Sequence, residues 1–97
     1  MANAEYIEEL RAVIGKLHGC DSTHVESVPV HELFKGKTVW QGDVEVFDLI
    51  GHPKAKRCYA WALQDRKRTE YVTVLEIPPV ESPETAVRVA IASGKQK

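Results

Sequence analysis

The chain has 97 residues, 43% of them hydrophobic and 28% charged, with a formal net charge of −1. That length supports one core burying roughly two-thirds of the unfolded surface, so a single domain over 1–97 is expected, and the apolar content excludes intrinsic disorder. The near-neutral balance excludes a general attraction to nucleic acid or anionic lipid and leaves only local patches.

The opening residues, Met1-Ala2-Asn3-Ala4-Glu5, lack the basic start and apolar stretch of a secretory signal, and the longest apolar run, Cys58 to Leu63, is far too short to span a bilayer. The expected location is therefore cytoplasmic, with no membrane partner, and Cys20 and Cys58 are expected as free thiols.

In chain order, Asn3 suits an N-cap, and Tyr6, Ile7, Leu10, Val13, Ile14 and Leu17 recur at helical spacing, predicting a helix from about Ala4 to His18 that stops at Gly19. Cys20 to Lys37 has no clean period and contains Pro29; it predicts at most a short edge strand through Val28 and Val30. From Thr38 to Leu49 the residues alternate, with Trp40, Val44 and Val46 against Gln41, Asp43 and Glu45, which predicts a half-buried strand. Gly51-His52-Pro53 breaks it. Arg57 to Gln64 then sets Tyr59, Trp61 and Leu63 against Cys58, Ala60 and Ala62, and two apolar faces predict a central strand. A polar turn from Asp65 to Thr69 leads to a β-branched strand from Glu70 to Ile77, ended by Pro78-Pro79. Ser82-Pro83-Glu84 opens a second helix carrying Ala86, Val87, Ala90 and Ile91; Gly94 stops it, and Lys95 to Lys97 form a frayed tail.

The expected fold is α+β, in the order α-β-β-β-α. It has an antiparallel three-stranded meander, room for an extra edge strand, and both helices packed on one face. On that arrangement the second sheet face keeps a surplus of large apolar side chains, and Trp61, Tyr59 and Trp40, with His52 on the loop between strands, are the expected binding residues.

The remaining candidates carry weaker patterns. His18, Cys20 and His24 match neither a paired-cysteine knuckle nor a helical histidine pair, so no metal and no cofactor are expected. Cys20 with a neighbouring histidine, or His52 beside Pro53, would serve an enzyme as thiol nucleophile or base, but no catalytic set is assigned. Two basic loops, Lys54, Lys56 and Arg57 and then Arg66, Lys67 and Arg68, sit at opposite ends of the central strand, so they predict two small patches rather than a phosphate-binding stripe.

The α-β-β-β-α order with Gly51-His52-Pro53 after the first strand resembles the double-stranded RNA-binding domain. That family places a lysine cluster at the start of its last helix, whereas this chain has Glu81-Ser82-Pro83-Glu84 there, so no RNA-contacting residue is carried over and nucleic acid is not an expected partner. The stretch Val39 to Trp61, with Trp40-Gln41-Gly42, Gly51-His52-Pro53-Lys54-Ala55 and Cys58-Tyr59-Ala60-Trp61, is similar to a family of small uncharacterised bacterial proteins. That resemblance implies a bacterial origin and no particular activity.

The resulting expectation is a non-enzymatic binding or self-association module that works through an aromatic sheet face or an exposed strand edge, with a homodimer or a small-molecule ligand as the partner. A small enzyme using His52 or Cys20, and weak nucleic-acid binding through the basic loops, are the alternatives.

Overall fold

The computed structural model describes residues 4–64 and 68–93. Its elements are α1 (Ala4–His18), β1 (Asp21–Phe34), β2 (Lys37–Ile50), β3 (Arg57–Gln64), β4 (Thr69–Leu75) and α2 (Pro83–Ala92). The strands form one antiparallel sheet in the order β1-β2-β3-β4. The α+β arrangement and the antiparallel meander match expectation. The N-cap expected at Asn3, the turn residues Asp65 to Lys67, and the stop and tail from Gly94 to Lys97 lie outside the described residues.

The sheet has four strands: the extra edge strand allowed for through Val28 and Val30 is present, but as a 14-residue strand rather than a short segment. Its alternation is hidden by a register slip between His24 and Glu26, a bulge that lets Val25 drop out of the pairing. Pro29 is tolerated because β1 is an outer strand with only β2 beside it. β1 turns into β2 through Lys35-Gly36, both at positive φ (53° and 78°), the backbone a tight two-residue hairpin loop requires. The extra strand also departs from the α-β-β-β-α order that underlies the likeness to the double-stranded RNA-binding domain.

Contrary to expectation, the helices cover opposite faces of the sheet instead of sharing one. Leu10 and Ile14 of α1 pack on Phe47, Cys58 and Ala60, with Tyr6, Ile7, Leu49, Tyr71 and Leu75 around them. Ala86, Val87 and Ala90 of α2 pack on Val44, Val46, Tyr59 and Trp61. The reason lies in β3: both of its faces are apolar, so each needs a cover, and one helix on each side removes both from water.

Polar contacts fix where the helices sit. The Ala62 amide donates to the Tyr6 hydroxyl at 3.0 Å, the Arg11 guanidinium donates to the Ser22 carbonyl at 2.9 Å, and His18 bonds the Thr73 hydroxyl at 2.9 Å. The Ser82 hydroxyl caps α2 by accepting from the Thr85 amide, and the Thr85 hydroxyl accepts from the Ser82 amide, closing a capping box behind Pro83. Among the described residues, no helix is long and apolar enough to cross a membrane.

Candidate functional site

Of the aromatic residues singled out in the sequence, Trp61 and Tyr59 lie in the interior and Trp40 is half-buried. Trp61 is 1% and Tyr59 2% exposed beneath α2, so no ligand reaches either ring unless that helix moves. The Tyr59 hydroxyl donates to the Glu76 carboxylate, and burial together with that neighbouring acid pushes its pKa up. Trp40 is half-buried and meets Trp61 edge-to-face, with ring centroids 5.6 Å apart at 62°. Its ring folds back over Gly42, where an added Cβ would stand 3.2 Å from Cη2; the glycine is what lets the indole lie flat along its own strand. The expected aromatic working face is therefore closed by α2.

The described basic residues of the two loops stay apart. Lys54 and Lys56 are exposed on the β2–β3 connection, and Arg57 is bound to Asp48 at 2.9 Å. At the other end of β3, Arg68 pairs with Glu70 at 2.8 Å, and Arg66 and Lys67 lie outside the described residues. His52 organises its own loop: Nδ1 accepts from the backbone N–H of Lys54 at 3.0 Å and of Ala55 at 2.9 Å, holding the chain as Ala55 enters the interior. With its lone pair so engaged, the ring has a structural task.

His18 and His24 are not brought together either, because they bond Thr73 on β4 and Glu45 on β2, strands separated by β3. Cys20 is half-buried; Cys58 is fully buried, and that burial pushes its thiol pKa up to about 12, far from a reactive thiolate. The described residues contain no group of three or more His, Cys, Asp or Glu side chains placed to hold a metal.

Two features escaped the sequence reading. The first is Glu45, expected on a polar face but only 1% exposed on the α1 side. It accepts from the Ser27 hydroxyl and from His24 Nε2 at 2.9 Å, while its Oε2 has no hydrogen-bond partner. The contact with the carboxylate and the edge-on packing against Phe47 together set the tilt of the His24 ring.

The second feature is the outer end of the β1–β2 hairpin. Among the described residues, β3 pairs with β2 only between Glu45 and Asp48, so β2 from Lys37 to Val44 pairs with β1 alone and no described strand lies on its other edge. A further slip in the ladder, between Glu32 and Leu33, leaves Val39 unpaired with β1. Leu33, Phe34 and Val39 are 58%, 64% and 46% exposed. Together with Ile91 and Ala92 of α2 they line a groove of about 520 Å³, walled by an ion pair between Arg88 and Glu32 at 2.6 Å.

No family model, no curated protein and no solved structure matches the chain.

Proposed function

We propose that the protein is a non-enzymatic binding module whose working surface is the outer end of the β1–β2 hairpin, comprising the free edge of β2 and the adjoining apolar groove. The exposure of Leu33, Phe34 and Val39 carries this reading. None of the three belongs to either core cluster, so their apolar area is not accounted for by folding of the chain. The groove has the volume of an ordinary ligand pocket, and a strand edge with unsatisfied backbone groups is a recurrent site for adding another chain. Of the two surfaces suggested by the sequence, the strand edge remains available and the aromatic face does not.

An anionic solvatochromic dye such as anilinonaphthalene sulfonate tests the reading. The native protein is expected to enhance its fluorescence, and a Phe34→Asp, Val39→Asp double variant is expected to lose most of that enhancement while keeping its far-UV circular dichroism. An unchanged enhancement in the variant would place the apolar binding surface elsewhere.

A further inference from the structure

Resting on the hairpin reading above, we propose that the occupant of the free β2 edge is a second copy of the same chain, paired antiparallel across a two-fold axis near Trp40. The segment is Lys37-Thr38-Val39-Trp40-Gln41-Gly42-Asp43. Its ends bear opposite charges, and its centre holds the exposed Val39 and half-buried Trp40. Lys37 and Asp43 are both exposed and, among the described residues, neither has an ion-pair partner within the chain.

An isologous contact sets residue i against residue j and residue j against residue i. Because Trp40 lies midway between Lys37 and Asp43, an antiparallel pairing centred there brings Lys37 of one copy to Asp43 of the other, twice by symmetry. The same alignment sets Thr38 against Gly42 and Val39 against Gln41, so no like charges meet. The pattern is self-complementary only in the orientation that a two-fold axis imposes. The product is a continuous β1-β2-β2-β1 sheet through the hairpin arms, with the apolar groove flanking the junction.

The other edges lack this property. β1 presents Pro29, and its formal charges are all acidic: Asp21 and Glu32 are already held by Arg11 and Arg88 of the same chain, and Glu26 meets no base on a second copy of the strand. On β4, the one formal charge, Glu70, is already taken by Arg68 of the same chain, and the strand is short, at 7 residues.

The test uses charge reversal in the full chain, with association read by light scattering and sedimentation. Lys37→Glu leaves acid at both ends of the segment, and Asp43→Lys leaves base at both ends. Each variant alone is expected to dimerise at least about tenfold more weakly than the native chain, since two attractive contacts become two repulsive ones. An equimolar mixture of the two variants restores opposite charges at both contacts and is expected to recover association to within about threefold of native. Both side chains are exposed and have no ion-pair partner among the described residues, so unchanged circular dichroism and thermal midpoint confirm that folding is untouched.

A native chain that stays monomeric at the highest attainable concentration overturns the proposal. So does a native dimer that ignores both reversals, or variants that weaken but are not rescued by mixing. In each of these cases the dye experiment above still judges the hairpin as a binding surface, because its readout does not depend on self-association.

Discussion

At the scale of single residues, the clearest consequences come from groups whose ionisation is opposed by burial. The Cys58 thiol lies beneath α1 with its pKa raised from 9.0 to about 12. In the unfolded chain the thiol loses its proton above pH 9, while in the folded chain it keeps it. The unfolded state then binds fewer protons, so stability is fully present below pH 9 and declines as pH rises from 9 towards 12. Tyr59, raised by burial and by Glu76, adds to the loss above pH 10. Urea unfolding midpoints measured from pH 8 to 11 should therefore fall steadily past pH 9, with a shallower fall in Cys58→Ala; a midpoint independent of pH, or an equal slope in the variant, would refute this. Glu45 shows the same interior from another side. A carboxylate enclosed to 1% exposure is tolerated because Ser27 and His24 both donate to it, which explains why two polar residues of β1 face inward.

At the scale of elements, the β1–β2 hairpin depends on a loop that only a restricted set of residues can make. Gly36 has φ 78°, a left-handed conformation in which a Cβ is strained, so Gly36→Ala should cost about 1 kcal/mol of stability in chemical denaturation. A variant as stable as the native chain would mean the turn adopts another shape. Much of the element structure was legible in the sequence. α1, β3 and α2 each carry a periodic pattern with its own stop signals, and their observed bounds, Ala4–His18, Arg57–Gln64 and Pro83–Ala92, follow those patterns. β1 was not legible, because the bulge at Val25 shifts the alternation by one residue halfway along and Pro29 reads as a breaker. Lys35-Gly36 likewise lacks the Asn-Gly or Asp-Gly signature that announces a hairpin.

At the scale of the whole molecule, the sequence shows how many apolar stripes exist but not which surfaces meet. Two amphipathic helices and a sheet with two apolar faces are compatible with both helices on one side or one on each. The choice decides whether Trp61 and Tyr59 form a surface or a core. The structure places one helix on each face, and the aromatic surplus read from Tyr59 and Trp61 becomes interior packing. The candidate site was visible only in part. A strand edge was among the surfaces expected, but its location depends on β2 parting from β3 beyond Glu45, a feature of pairing that no local pattern encodes. The groove is likewise a product of tertiary structure, since Leu33, Phe34 and Val39 become neighbours of Ile91 and Ala92 only when α2 crosses the sheet.

The most direct measurement of the central claim is amide hydrogen exchange of the native chain at low and high protein concentration, followed residue by residue. Protection is expected to rise with concentration across Lys37 to Asp43 and to stay constant along the outer edge of β4, from Thr69 to Leu75. Protection that does not depend on concentration at Lys37 to Asp43, or that rises on β4 instead, would contradict it.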